Sequence, residues 1–134
     1  MQPSRVLETC LYVDDLEQAE DFYSRVLSLE RYAKVEGRHV FFRCGDGVFL
    51  LFNPEQTVVA SAVGVPTHGA TGAGHAAFRM GEEEIEGWKS RLKEEDVEIE
   101  LEFTWPNGGF SFYFRDPAGN SIELVTPKTW GLEN

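Results

Sequence analysis

The stretch FYFRDPAGNSIELVTP (residues 112–127) decides the fold of this chain. Its aromatic residues up to Arg115 predict one strand, Asp116-Pro117-Ala118-Gly119 has the composition of a turn, and Ser121–Val125 predicts the returning strand. Glu123 stands in the middle of that last apolar strand. The stretch therefore predicts a β-hairpin that carries one carboxylate inside its apolar part.

The chain contains a second, earlier copy of this pattern. FFRCGDG (41–47) parallels YFRDPAG (113–119), and LLFNP (50–54) parallels ELVTP (123–127). Each copy follows a strand-like run and a helical stripe of apolar residues at spacings of three and four. The predicted strands lie at 6–13, 31–35, 39–44, 48–52, 74–80, 97–103, 109–115 and 121–125, and the predicted helices at about 16–27 and 82–95. This order predicts an α+β fold of two tandem βαβββ modules that form a cleft between curved mixed sheets.

The length of 134 residues suits one domain with this internal repeat. We expect module 1 at about 5–54, a linker rich in Gly, Ala, Val and Pro at 55–73, module 2 at about 74–127, and a C-terminal tail at 128–134.

Composition excludes several classes of function. The formal net charge is −11 and no basic cluster is present, so a nucleic acid or an anionic membrane surface would be repelled. No apolar run approaches the ~18–20 residues that span a bilayer. The two cysteines, Cys10 and Cys44, lie inside strand-like runs, which favours free thiols and a cytoplasmic location.

Three polar residues interrupt apolar strands: Glu8, His75 and Glu123. Glu8 and His75 each lie on the strand before a helix, so pseudo-symmetry would bring the three side chains to one point in the cleft. Two carboxylates and an imidazole are ligand types for Zn²⁺, Ni²⁺, Co²⁺, Mn²⁺ or Fe²⁺. The alternatives are glutamates that pair with Arg79 or Arg115 and a loop or core histidine.

Three stretches of the chain resemble the vicinal oxygen chelate superfamily, which includes glyoxalase I and the bleomycin-resistance proteins. ETCLYVDDLEQAEDFYSRVLSLE (8–30) is similar to the family's opening strand and helix, and GHAAFRM (74–80) to its second-module G-H-x-A-F strand. The most specific is residues 112–127, which resemble the closing F-x-D-P-x-G-x-x-I-E-L hairpin. Together they cover nearly the whole chain in the family's order.

The resemblance implies ligands on the first and last strands of each module. Those positions hold Glu8, Leu50, His75 and Glu123. Leu50 cannot ligate a metal, so the four-ligand arrangement of glyoxalase I is not reproduced. A three-ligand set remains, as in the fosfomycin-resistance thiol transferases, which carry His at the place of Glu8. Extradiol dioxygenases use two His and one carboxylate, which this chain does not match either.

A three-ligand divalent ion leaves coordination positions open for substrate oxygens and can stabilise an oxyanion as a Lewis acid. The expected activity is that of a glyoxalase-like lyase, isomerase or thiol transferase on a small oxygen-rich molecule, with Glu8 or Glu123 as general base. Tyr12, Phe52, Trp105 and Arg115 are candidate pocket residues, although aromatic residues are often core and Arg115 could be a structural ion-pair former.

A metal-free protein that sequesters a ligand, as bleomycin-resistance proteins do, is the alternative function. Leu50 and the aromatic residues favour it, whereas Glu8, His75 and Glu123 favour the enzyme. The resemblance also implies a homodimer in either case. His68, in the linker, is interpreted as a solvated loop residue or as a residue near the site.

Overall fold

The computed structural model describes all residues, 1–134, and contains two compact units, Met1–Gly72 and Ala73–Asn134. Each unit has one βαβββ module, which confirms the predicted tandem fold of the α+β class. The first module consists of β1 (Glu8–Tyr12), α1 (Leu16–Val26), β2 (Glu30–Val35), β3 (His39–Cys44) and β4 (Gly47–Phe52), and a short helix α2 (Pro54–Thr57) follows it. The second consists of β5 (His75–Arg79), α3 (Ile85–Glu94), β6 (Leu101–Thr104), β7 (Phe110–Arg115) and β8 (Ser121–Val125).

Both sheets are mixed and have the same strand arrangement. Their orders are β1-β4-β3-β2 and β5-β8-β7-β6, with the first pair parallel and the others antiparallel. Glu8 pairs in register with Val48, as His75 does with Ser121. Leu50 lies opposite Cys10, as Glu123 lies opposite Ala77. The register therefore makes Glu8 equivalent to His75, and Leu50 equivalent to Glu123, as the sequence repeat predicts.

Helix α1 forms where a capping residue precedes an apolar stripe. The Asp15 side chain accepts a hydrogen bond from the backbone N–H of Gln18, which satisfies one of the free donors at the helix N-terminus. The stripe includes Tyr23, which is fully buried and packs against Phe42 and Phe49 of the sheet. Burying one such aromatic side chain contributes about 1.5–3 kcal/mol to folding.

Several predicted boundaries were too long. The strand predicted at 97–103 begins only at Leu101. Asp96 has a left-handed backbone (φ 55°) that ends α3. The residues between Asp96 and Leu101 are used to turn the chain back towards the sheet. The helix predicted from 82 starts as a 3₁₀ turn over Glu82–Glu84. The strand predicted from 6 starts at Glu8, directly after Leu7, whose carbonyl still accepts a hydrogen bond from the backbone N–H of Val48 over 3.0 Å.

The predicted linker and tail also contain local structure. The linker includes α2, whose N-terminus is capped by the Asn53 side chain through the backbone N–H of Glu55. The tail begins with a 3₁₀ turn over Pro127–Trp130. No helix in the chain has the length and apolar character that a membrane span requires.

Candidate active site

Glu123 is the buried carboxylate of the second unit. It lies on the central part of β8, between Ala77 of β5 and Tyr113 of β7, and only 7% of it is exposed. Its neighbours along the strand, Ile122 and Leu124, point to the opposite face and are buried in the core. Strand alternation therefore places the carboxylate on the face of the sheet that does not carry the apolar core.

A chain of hydrogen bonds fixes the Glu123 carboxylate. The Ser111 hydroxyl donates to Oε1 of Glu123 over 2.6 Å, and the indole Nε1–H of Trp105 donates to Oγ of Ser111 over 2.8 Å. Ser111 is completely buried, so this hydroxyl has no access to solvent. One carboxylate oxygen is thus occupied by protein donors, and the other, Oε2, is left for a different partner.

His75 presents a ring nitrogen to that second oxygen. Its Nδ1 lies 3.0 Å from the carbonyl oxygen of Ser121, and because a carbonyl can only accept, Nδ1 carries the proton. Its Nε2 then faces Oε2 of Glu123 at 3.4 Å. Two lone pairs at this separation repel each other unless a proton or a metal cation lies between them. The backbone bond also orients the ring as carbonyl partners orient metal-ligating histidines.

Tyr113 completes the immediate surroundings of this pair. Its ring stacks on that of His75 with centroids 6.5 Å apart. Burial is the largest cause that raises the pKa of the Tyr113 phenol above its usual value, and a hydrogen bond to Glu123 is the second. The phenol is therefore a neutral donor near neutral pH and can hydrogen-bond to a carboxylate or to a substrate oxygen.

The loop at residues 105–109 is built to hold Trp105. The Asn107 amide donates to the carbonyl oxygens of Lys128 (2.8 Å) and Thr129 (3.1 Å), which ties the loop to the 3₁₀ turn that follows β8. A side chain at Gly109 would place its Cβ 2.6 Å from Cα of Thr129, so only glycine allows this close approach. The tie fixes the indole that supports Ser111.

The other predicted site residues lie in different settings. Glu8 is exposed and its carboxylate has no hydrogen bond or ion pair within the chain. Arg115 pairs with Glu100 over 2.7 Å and donates to the Gly119 carbonyl, which fits the structural alternative. Glu123 makes no ion pair with an arginine. Neither unit by itself brings three or more His, Cys, Asp or Glu side chains together.

Tyr12 and Phe52 lie in the first unit, where they contact the linker histidine. The Tyr12 hydroxyl and Nδ1 of His68 are 2.6 Å apart, and the His68 ring meets Phe52 edge-on with centroids separated by 4.8 Å. Burial, together with the nearby Cys10 thiol, raises the pKa of Tyr12. The linker histidine is therefore ordered against the sheet by these rings, although it is exposed.

A family model described as the Glyoxalase/Bleomycin resistance protein/Dioxygenase superfamily matches residues 5–124. The chain belongs to this superfamily. It is 44% identical to a structure described as lactoylglutathione lyase from Agrobacterium tumefaciens, with a TM-score of 0.94 over 98% of this chain and 100% of that one.

Two curated proteins are more distant relatives within the superfamily. The metallothiol transferase FosB of Staphylococcus epidermidis is 29% identical over 94% of this chain and 84% of its own length. The glutathione transferase FosA of Serratia marcescens is 30% identical over 85% of this chain and 74% of its own length. These similarities support an enzyme of the glyoxalase type.

The sequence did not identify the residues that hold the Glu123 carboxylate on the superfamily's closing strand. Ser111 was not predicted, and Trp105 was predicted only as a pocket residue. The available signal was a hydroxyl residue in the aromatic run FSFYF (110–114), on the strand that neighbours Glu123. A serine in such a run has to hydrogen-bond to something when it is buried.

Proposed function

We propose that this chain is a metal-dependent, glyoxalase-type enzyme whose divalent ion is held by His75 and Glu123, with Glu8 taken from the family resemblance as an exchangeable third ligand. The observation that carries the proposal is the 3.4 Å approach of Nε2 of His75 to Oε2 of Glu123, with the remaining polar atom of each side chain already occupied. Bonds from zinc to nitrogen and oxygen ligands are about 2.0–2.2 Å long. Two atoms 3.4 Å apart can therefore bind the same ion.

The donor set fits a borderline divalent cation such as Zn²⁺, Ni²⁺, Co²⁺, Mn²⁺ or Fe²⁺. Such an ion also supplies the positive charge that the buried Glu123 carboxylate lacks among its protein partners. Bound there, it supplies a Lewis acid for an oxyanion that develops on the substrate.

The carboxylates of the two glutamates differ in how firmly the protein holds them, which suggests different roles. Glu123 is anchored through Ser111, whereas the exposed Glu8 has no partner within the chain. We assign Glu8 as the general base, because a carboxylate without fixed partners can move to take a proton from the carbon next to a carbonyl group. The electron pair of that C–H bond then forms a double bond to the carbonyl carbon, and the π pair of the carbonyl group moves to its oxygen. Glu123 and His75 serve as the fixed ligands.

The finer activity that we propose is that of a lyase acting on a thioester of a 2-hydroxy acid. In the forward direction Glu8 moves the proton from the carbon that bears the hydroxyl to the thioester carbon, the C–S bond breaks, and the thiolate leaves with the hydroxyl proton as a thiol. The carbon that bore the hydroxyl is thereby oxidised to a carbonyl, and the thioester carbon is reduced to an aldehyde. The 44% identity to the structure described as lactoylglutathione lyase supports this class. The alternative reaction is transfer of a thiol to a small substrate, which the names of FosA and FosB imply for those proteins.

Metal content tests the proposal. Tag-free protein, His75→Ala and the control His39→Gln would be loaded with each divalent ion, desalted and measured by elemental mass spectrometry. We expect about one ion per chain in the wild type and in the control, and its loss in His75→Ala. Absence of bound metal in the wild type after loading with Mn²⁺, Fe²⁺, Ni²⁺ and Zn²⁺ would exclude the mechanism.

Activity then tests the roles of the glutamates. Loaded enzyme would be assayed with lactoylglutathione, and in reverse with a 2-oxoaldehyde plus glutathione. Glu8→Gln is expected to lower kcat about 10²–10⁴-fold with bound metal largely retained, as loss of a general base predicts. A Glu8→Gln enzyme of wild-type kcat would refute the assignment of the base.

A metal-free sequestering protein is the second candidate, and Leu50 favours it. The residue at this ligand position is apolar and 7% exposed, with Cys10 and Phe41 opposite it on the neighbouring strands. A protein of this kind would bind no metal and would bind an apolar ligand that quenches the fluorescence of Trp105.

A further inference from the structure

Five side chains surround the ring of Phe52 on the first sheet. Phe52 itself is 7% exposed, at the end of β4. The rings around it are those of Tyr12, His39, Phe41 and His68, with centroids 6.4, 5.8, 5.4 and 4.8 Å away, and the Arg38 guanidinium carbon lies 5.8 Å from its centroid. The Phe52 ring stands edge-on to the rings of His39, Phe41 and His68, at 75–79°, whereas the His39 and Phe41 rings are stacked with centroids 4.0 Å apart. The group, here called the Phe52 cluster, combines three aromatic rings with two imidazoles and a cation.

Arg38 in this cluster has no carboxylate partner. By contrast, Arg31 and Lys34 both form ion pairs with the Glu20 carboxylate. Arg38 is partly buried, and its guanidinium contacts Nδ1 of His39, at 2.7 Å, and the Phe52 ring. A partly buried cation without a counter-charge is unfavourable, so an external anion would stabilise it.

The backbone holds Arg38 in place. It ends the turn between β2 and β3, and its carbonyl accepts a hydrogen bond from the backbone N–H of Asn53 over 2.9 Å. The Asn53 side chain donates to the Gly37 carbonyl of the same turn over 3.2 Å. Because Asn53 directly follows Phe52, these two bonds fix the turn beside the Phe52 ring.

His39 adds a hydrogen-bond donor to the cluster. Burial, and then the charge of Arg38, lowers the pKa of His39, so the ring is neutral at pH 7. A guanidinium only donates, which makes Nδ1 of His39 the acceptor and puts the ring proton on Nε2. Arg38 and His39 thus offer N–H donors and a positive charge, and no carboxylate opposes them.

We propose that the Phe52 cluster is a binding site for a small molecule that carries a carboxylate or similar oxyanion on a flat apolar body. The anion would pair with Arg38, which has donors to spare for a two-point contact, and the flat part would lie against the stacked and partly exposed rings of His39 and Phe41. The proposal goes beyond the metal-dependent activity, since binding at this cluster needs no metal ion.

Binding of 2-naphthoate to metal-free protein tests the site. Chelator-treated, isotope-labelled full-length protein would be titrated and followed by NMR. We expect shift changes centred on residues 38–41, 52 and 68. The neutral isostere 2-naphthamide and the plain anion acetate should each bind at least about tenfold more weakly, because each lacks one half of the recognised group.

Variants complete the test. Arg38→Gln should weaken 2-naphthoate binding about tenfold or more and leave 2-naphthamide binding unchanged. Arg43→Gln is the matched control, since Arg43 lies on β3 but stacks over Tyr32 at 4.4 Å. The proposal would be overturned by equal losses in both variants, by 2-naphthoate affinity unaffected by Arg38→Gln, or by shift changes outside the first unit. Since the protein is metal-free throughout, failure here leaves the metal proposal standing, and failure of the metal proposal leaves this one standing.

Discussion

Equivalent residues of the two modules carry different chemistry. Leu50 and Phe41 face each other on the first sheet in the same register in which Glu123 and Tyr113 face each other on the second. The side chain opposite Phe52 is His39, whereas the one opposite Val125 is Ser111. The repeat thus sets where each side chain lies, and the individual residue decides whether the position holds a polar pair or an aromatic cluster.

Removing the Ser111 hydroxyl tests the support of Glu123. Ser111→Ala should lower metal affinity by about 10–100-fold, since it frees Oε1 of Glu123 and lets the carboxylate rotate. The lost partner of the Trp105 indole should also alter Trp105 fluorescence, and the free energy of unfolding should fall by about 1–3 kcal/mol. Metal titration and urea unfolding measure these effects.

Ser121→Ala is the matched control, because Ser121 contributes its backbone carbonyl to His75. That carbonyl survives the substitution. Equal metal affinities for wild type and Ser111→Ala would contradict the proposed support.

At the scale of elements, the β7–β8 turn positions β5. The buried Asp116 accepts hydrogen bonds from the backbone N–H groups of Ala118 (3.0 Å) and Asn120 (2.8 Å), which closes the turn. The buried Asn120 in turn accepts from the backbone N–H of Gly74 over 2.7 Å. Since Gly74 directly precedes His75, the turn holds the first residue of β5 in place beside β8.

Asn120→Ala should therefore affect both stability and the site. Leaving the Gly74 N–H and a carboxylate oxygen of Asp116 without this partner should cost about 2–3 kcal/mol of unfolding free energy and should weaken metal binding through His75. Asp46→Ala in the corresponding hairpin is the control. The Asp46 side chain is 89% exposed, so its loss should cost less than about 1 kcal/mol. Similar urea midpoints for the two variants would refute the role of the turn.

A second element-scale prediction concerns the contact of α1 with β2. Burial would raise the pKa of Glu20, but hydrogen bonds and charges from Lys34 and Arg31 outweigh it, so the pKa is lowered. A lowered carboxylate pKa stabilises the fold above the pKa of the unfolded chain, about 4.3, and this contribution is lost as pH falls through the folded value. Glu20→Gln should therefore be about 1 kcal/mol less stable than wild type at pH 7.

The difference should shrink below about pH 4, as thermal unfolding across pH would measure. Glu17→Gln, on the exposed side of α1, should show a smaller change with pH. A Glu20→Gln difference that is constant from pH 7 to pH 3 would contradict the assignment.

At the scale of the whole molecule, the chain combines high negative charge with exposed apolar side chains. The net charge of −11 favours solubility and repels polyanions. Large apolar side chains that remain exposed in the single chain include Val6 (81%), Val63 (83%) and Trp130 (75%). The homodimer is a prediction from the resemblance to the superfamily, and isolated exposed apolar side chains are compatible with it but are common on monomers as well.

The expected species in solution therefore has twice the chain mass of 15.1 kDa. Sedimentation equilibrium at micromolar concentration measures this mass directly. A single species of 15.1 kDa would refute the dimer.

The strands, the first helix and the repeat could be predicted because they depend on local patterns. Asp15 caps α1 and the apolar stripe follows it, and the hairpin at 112–127 has its turn residues in sequence. Boundaries near Asp96 could not be predicted, since the left-handed residue that ends α3 is not a glycine. His75, Glu123 and Glu8 were proposed from their position in apolar strands and from the family resemblance.

What the sequence by itself determined is the tandem βαβββ order, the equivalence of Glu8 with His75, and that of Leu50 with Glu123, because strand periodicity and the repeat are local properties. What only the tertiary structure decided is which atoms meet. Ser111 reaches Glu123 from a neighbouring strand, and Arg38 lies beside Phe52 without a carboxylate. Such contacts join residues that are distant along the chain, and their geometry depends on strand register and side-chain rotamers that the linear pattern does not specify.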